Sequence, residues 1–300
     1  MKLNLSKLEI LALQPVCDTD YSAGALAQKL GVKKSFFSRL LKELSDKGLV
    51  LAEKRGTEKI IRLSPASHAQ SFRSLYQTRP NVKIEEWLSG RTMGILILMT
   101  GREGWTPFEL LLEEGGCSKP TIYKLLKTLS GVGVIANAKG RGYKIGDSYV
   151  EDFAKKYADN LQRLMQKQAK GFNTSIRIRK HVVVRTDAKE VPPYFCETGL
   201  NALVKADLEA NLTSYSDYYF NLDGKKCKIS LEEAFVHSLL FSALPQYIAD
   251  IILLKIFFAK NKGQMNKALL EKMAEKFNVK SQLYEVRRAA EDYQKMRDME

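Results

Sequence analysis

Histidine and cysteine are scarce in this chain of 300 residues, with three of the first and four of the second. Cys17, Cys117, Cys196 and Cys227 lie far apart, with no C-x-x-C pair and no neighbouring histidine, so no zinc site or disulfide framework is indicated. Reduced thiols in a cytoplasm are the expectation. His68, His181 and His237 fall in separate segments, none within H-E-x-x-H or H-x-E, and His237 sits in an apolar helix as a core histidine would. Also absent are G-x-x-x-x-G-K-[ST], a G-x-G-x-x-G after a strand, and G-x-S-x-G. Gly140-Arg141-Gly142 resembles a piece of a phosphate loop but suits a turn better, and Asp217 lacks the second carboxylate that nucleotidyl transfer needs. No catalytic residue, metal ligand or cofactor is assigned, and the chain is expected not to be an enzyme.

Long apolar runs are missing too. The most apolar tract, Ile248 to Phe258, is about eleven residues and contains Asp250 and Lys255, short of the ~20 that span a bilayer. The start, LNLSKLEILAL, has polar interruptions at helical spacing and reads as an amphipathic helix rather than a signal peptide. Acidic residues are in deficit: Lys+Arg 48 against Asp+Glu 34 gives a net charge of +14 and a pI near 9.4, which favours a polyanionic partner.

What is present is organised around Gly31 to Leu63. Leu5, Leu8, Ile10, Leu11 and Leu13 make the apolar stripe of a first helix that ends near Pro15. Ser22 caps a second helix through AGALAQKL, and Gly31 stops it where left-handed backbone is cheap. A third helix begins at Lys33 or Ser35. Its Phe36, Leu40, Leu41 and Leu44 are expected to pack inward, leaving Lys33, Lys34, Ser35, Ser38, Arg39 and Lys42 on another face. Gly48 closes it, and LVLAEK and KIIRL alternate as two strands joined at Arg55-Gly56-Thr57-Glu58. Residues 1–65 carry 12 Lys+Arg against 7 Asp+Glu, with the cations crowded into this helix and the Lys54, Arg55 and Lys59 hairpin.

The order GALAQKLGVKKSFFSRLLKELSDKGLV followed by a basic hairpin resembles the winged helix-turn-helix domain of MarR/ArsR-type transcriptional regulators. The resemblance implies double-stranded DNA as partner. The third helix would offer its outer face to the major groove, and the wing would lie along a phosphate backbone or in a minor groove.

Ser64-Pro65-Ala66-Ser67 marks a boundary, and a linker with a short helix from His68 to Thr78 runs over residues 66–83. Helical signals return at Ile84 to Leu88 and Met93 to Met99. Thr106-Pro107 reads as an N-cap with proline in the first turn of a helix through FELLLEE. An offset of 85 residues lays Gly116 on Gly31, Lys119 on Lys34, Leu125-Leu126-Lys127 on Leu40-Leu41-Lys42 and Gly133 on Gly48. This internal repeat predicts a second winged helix over residues 84–147. Lys119, Thr121 and Lys124 would lie outside, and Lys139-Gly140-Arg141-Gly142 would form the tip of the wing. Gly90 to Asp147 holds 8 Lys+Arg and 5 Asp+Glu, and Glu103, Glu109, Glu113 and Glu114 precede the third helix. This copy either packs against the first or joins it in spanning two successive major grooves.

Residues 148–172 read as a connecting helix, whose stripe of Tyr149, Val150, Phe153, Tyr157, Leu161, Leu164 and Met165 packs on its own protein or pairs two copies of the chain. The remainder, 173–300, is expected to be a mixed α/β domain, making the whole an α+β protein. It holds a strand in IRIRKHVVVRTD, a strand pair or edge in LTSYSDYYFNL, and a helix begun by a Ser230-x-x-Glu233 capping box. Aromatic residues from Tyr215 to Phe220 either pack the core or line a pocket. Lys167 to Lys189 carries seven Lys+Arg and only Asp187 as acid, which either extends a DNA footprint or is solvated.

Thr198-Gly199-Leu200-Asn201-Ala202-Leu203 with the SLEEAFVHSLL segment is similar to AbiEi-type antitoxins. That resemblance implies a C-terminal domain opposing a nucleotidyltransferase toxin, with the winged helices autoregulatory. The leading expectation is a cytoplasmic, bacterial or archaeal, sequence-specific transcriptional regulator whose C-terminal domain takes a protein partner or a small-molecule effector. The antitoxin-like role and a place in replication initiation are the alternatives.

Overall fold

The computed structural model describes residues 3–100, 104–206, 208, 214–225 and 228–297, with side chains to residue 292. They form an α+β structure with three small antiparallel sheets. Their contacts divide them into two units, Met1–Met165 with Leu222–Gly224, and Gln166–Asn221 with Lys225–Glu300. Among the described residues, no helix is long and apolar enough to cross a membrane.

The first unit opens with α1 (Lys7–Val16), β1 (Tyr21–Ser22), α2 (Ala23–Lys29) and α3 (Lys34–Asp46). It continues with β2 (Val50–Arg55), β3 (Glu58–Leu63) and α4 (Ser67–Gln77). Ser6 and Glu9 form a capping box that starts α1, and the Ser22 hydroxyl accepts from the Ala25 amide at the start of α2. Gly31, at φ +65°, lets the chain reverse into α3. The sheet order is β1-β3-β2, with Tyr21 paired to Ile61 and Val50 to Leu63.

The same order then repeats. After α5 (Ile84–Trp87) come α6 (Thr92–Thr100), α7 (Phe108–Glu114), α8 (Lys119–Gly131), β4 (Ile135–Ala138), β5 (Gly142–Ile145) and α9 (Ser148–Gln166). Helices α7 and α8 begin and end 85 residues after α2 and α3. Gly116 repeats the φ of Gly31 at +65°, and Gly133 at +71° follows Gly48 at +67°. The hydrogen bonds closing α3, from the amides of Gly48 to Ser45 and Leu49 to Leu44, recur at α8 as Gly133 to Ser130 and Val134 to Leu129. Even β1 has its counterpart, because Thr106 bridges Tyr143 as Tyr21 pairs with Ile61. Thr106 is therefore not the helix cap expected from Thr106-Pro107. Pro107 holds that position, and Thr106 is turned to backbone pairing. Gly142 admits this approach, since a Cβ there would lie 2.1 Å from the Thr106 carbonyl oxygen.

One expected inward residue is misplaced: Phe36 is 46% exposed, and Phe37 takes the core position at 3%. Leu40, Leu41 and Leu44 are buried with it, so the inward stripe of α3 runs through 37, 40, 41 and 44. Of the apolar stripe of α9, Val150, Phe153, Tyr157, Leu161 and Met165 are buried within its own unit, with Phe153 against Phe72 at 5.4 Å between ring centroids, while Tyr149 is 46% exposed and Leu164 half-buried. The buried part is not presented as a contact for a second copy.

The second unit is built on the sheet β6-β7-β9-β8, formed by β6 (Asn173–Ile178), β7 (His181–Thr186), β8 (Cys196–Glu197) and β9 (Ser216–Asn221). It also contains α10 (Gly199–Lys205), α11 (Leu231–Ser242), α12 (Asp250–Asn261), α13 (Lys267–Lys276) and α14 (Lys280–Arg297). The single strand expected in IRIRKHVVVRTD is a hairpin, turned at Arg179 with φ 56°. The segment around Tyr219 is neither a strand pair nor an edge. It is the interior strand β9, and Tyr219 and Phe220 join the core. The Ser230 and Glu233 capping box starts α11 as its sequence requires. Cys196 is disulfide-bonded, against the expectation of reduced thiols throughout, while Cys17 and Cys117 are free and Cys227 lies outside the described residues.

Candidate nucleic-acid interface

Burial of Phe37, Leu40, Leu41 and Leu44 fixes the rotation of α3 about its axis, and that rotation decides what faces outward. Lys33, Lys34, Ser35, Ser38, Arg39 and Lys42 are all exposed, as are Lys54, Arg55 and Lys59 on the hairpin. Lys34, Ser38 and Lys59 line one groove of about 330 Å³, together with Ser22, Thr57 and Glu58. Helix and hairpin thus present one continuous surface. Arg39 and Phe36 line a neighbouring groove of about 500 Å³ with Ser6, Lys7 and Glu43.

Some cations of the unit are paired: Lys47 with Glu9, Arg79 with Asp147, Lys156 with Asp152 and, on the hairpin itself, Arg62 with Glu53. Among the described residues, Lys33, Lys34, Arg39, Lys42, Lys54, Arg55 and Lys59 have no ion-pair partner, so their charge is available to a polyanion. Ser38 is less available than its exposure suggests. Its hydroxyl donates to the Lys34 carbonyl at 3.0 Å, leaving its lone pairs for a ligand.

In the repeat, Lys119, Lys124 and Arg141 are exposed and Thr121 is half-buried, with its hydroxyl 2.9 Å from that of Ser118. Lys127, Lys139 and Lys144 are exposed beside them. The 85-residue offset places Lys127 on Lys42 and so carried the signal for that residue. Between Lys119 and Ile145 there are six Lys or Arg and no Asp or Glu. The acidic residues of this copy all precede α8 or follow β5, and Glu114 is buried. Tyr123, where the first copy has Ser38, is 49% exposed and stacks on Phe108 at 4.6 Å.

The basic stretch from Lys167 to Lys189 is not a uniform solvated face, because Arg179, Lys180 and Arg185 are buried. Arg185 grips Asp217 with two hydrogen bonds, 2.6 and 2.9 Å, and reaches Asp250 at 2.7 Å. Its guanidinium also lies against the rings of Phe241 and Tyr247, 4.6 and 4.4 Å from their centroids. Burial alone would lower its pKa, but the two carboxylates raise it above the ordinary value. Asp217 also accepts from the Leu200 amide, and Gly199, at φ +59°, passes so close that a Cβ would lie 2.3 Å from its carboxylate. This explains the Thr198-Gly199 pair in structural terms.

Thr198 also holds His237, its hydroxyl 2.8 Å from Nδ1. Burial, reinforced by His181 and Lys276, pushes His237 down to about 3. The imidazole is therefore neutral and enclosed, stacked on Tyr219 at 5.1 Å. Asp217 and His237 meet neighbouring residues of one turn, and both are buried. Among the described residues, no cluster of three or more His, Cys, Asp or Glu is placed to hold a metal ion.

Comparison with protein-family models, curated proteins and solved structures finds no match to this chain.

Proposed function

We propose that the chain is a sequence-specific, double-stranded DNA-binding transcriptional regulator, with its two repeats acting as tandem winged helix-turn-helix domains. The observation that carries this reading is the set of exposed cations on α3 and at the tip of the β2-β3 hairpin that have no ion-pair partner among the described residues, joined through the groove shared by Lys34, Ser38 and Lys59. Lys33, Lys34, Lys54 and Lys59 attract the phosphate backbone and set the register. Arg39 and Ser35 then reach base edges, where a bidentate arginine to guanine is the commonest specific contact. The role proposed is non-enzymatic: Asp217 is engaged by Arg185 and the Leu200 amide, and His237 meets the Thr198 hydroxyl through Nδ1.

The test is a charge-reversal comparison in the full chain. Lys34→Glu and Lys59→Glu are expected to abolish duplex binding in a fluorescence titration. Lys155→Glu, on a lysine already paired with Glu151 on α9, is expected to leave it nearly unchanged. Equal losses in all three variants would mean that net charge alone, and not this surface, binds the duplex.

A further inference from the structure

Sequence repetition does not by itself say how two copies are related in space, but their mutual contacts do. The Gly90 amide donates to the Leu5 carbonyl at 2.7 Å, and Gly90 lies 85 residues after Leu5. Corresponding positions of the two copies therefore touch each other, which a side-by-side translation does not permit and a two-fold axis does.

Two further relationships agree. After the hairpins the offset falls to 82, because the second is three residues shorter: the Ser64 amide meets the Leu49 carbonyl, and Gly146 meets Val134. Helix α9 is thus the counterpart of α4. These two helices pack antiparallel, with His68 near Tyr157 and Phe72 against Phe153, so four steps forward on one are four steps back on the other. Phe153 is the counterpart of Ser71, immediately beside Phe72, and the crossing falls at the same point along each helix. The ends of these helices also exchange contacts. Asn160 Nδ2 donates to the Lys47 carbonyl at 2.9 Å, at the end of α3. Arg79 Nη1 donates to the Val132 carbonyl at 3.4 Å, at the end of α8. Val132 is the counterpart of Lys47, and Asn160 is the counterpart of Thr78, next to Arg79. Each copy clasps the recognition-helix terminus of the other.

Resting on the duplex-reading role proposed above, we infer that the first unit is a two-fold dimer made from one chain, and that a single chain occupies an inverted repeat in duplex DNA. Two surfaces related by a two-fold axis read half-sites related by one, as operator symmetry follows protein symmetry. Both surfaces carry the charge this requires, since α8 and its hairpin hold six exposed cations with no acid among them. The two half-sites are unequal in sequence. Arg39, Ser35 and Ser38 of one surface are replaced by Lys124, Pro120 and Tyr123 on the other, which changes the donors and acceptors offered to base edges.

The experiment is selection of duplexes from a randomised library by the full chain, followed by native mass spectrometry of the complex with the recovered sequence. The expected motif is an imperfect inverted repeat bound by one chain. Arg39→Ala is expected to weaken protection of one half-site and Lys124→Ala that of the other, each roughly tenfold. A single half-site, a direct repeat, or an inverted repeat that requires two chains would overturn the inference while leaving the DNA-binding reading intact. Recovery of no preferred sequence would overturn both.

Discussion

The Leu5 carbonyl and the Gly90 amide, joined at 2.7 Å, belong to corresponding residues in two copies of one structural plan. The copies are held together by α4 and α9, whose contact centres on Phe72 and Phe153, both fully buried. Phe153→Ala removes an aromatic side chain from this seam and is expected to destabilise the first unit by about 3–5 kcal/mol. Urea unfolding followed by circular dichroism measures it. A loss under ~1 kcal/mol would show that the seam contributes little.

Lys54 lies on the hairpin, exposed and without a partner among the described residues. If it neutralises one phosphate, Lys54→Ala lowers the slope of log affinity against log salt by about 0.9. The loss is expected to be the same on specific and random duplexes, because a phosphate contact carries no sequence information. A change confined to the specific duplex would instead make Lys54 a base reader.

Asp217 is buried at 1% exposure and bonded to both Nε and Nη2 of Arg185. Asp217→Ala leaves that guanidinium with Asp250 as its remaining carboxylate partner, and is expected to cost about 3–5 kcal/mol of stability in the second unit. Thermal unfolding of the full chain reads this as the earlier loss of one transition. A near-neutral result would mean that Asp250 and the two aromatic rings suffice to hold Arg185.

Much of the first unit was legible because its signals are local. Gly31, Gly48, Gly116 and Gly133 each mark a place where the chain must turn left-handed, and the 85-residue spacing repeated the whole plan. Phe36 and Phe37 were harder. Adjacent aromatics fit the same periodicity within one residue, and only packing against neighbouring elements selects Phe37. The reciprocal contacts of Asn160 and Arg79 join residues far apart in sequence, so no periodicity announces them. The same holds for Arg185, which counts as one more cation in a basic run until the fold brings Asp217 and Asp250 to it.

His237 gives the second unit an acid sensitivity. Its folded pKa of about 3 lies below the ordinary value of 6.5, so the folded state binds this proton less readily than the unfolded state. The stability it contributes is complete above about pH 6.5 and is lost as pH falls toward 3. Between pH 6 and 4, wild type is expected to lose about 1.4 kcal/mol per pH unit more than His237→Gln. Parallel stability curves for the two would show that His237 does not carry this dependence.

The central claim is that the outer face of α3 reads duplex sequence, and Arg39 tests it most directly. The measurement is the ratio of affinities of the full chain for the selected duplex and for a scrambled one at fixed salt, in wild type and in Arg39→Ala. Wild type is expected to prefer the selected duplex by roughly a thousandfold or more. Arg39→Ala is expected to lower that preference by about 1–3 kcal/mol while leaving the affinity for the scrambled duplex within a few fold. A ratio unchanged by the substitution would contradict the account.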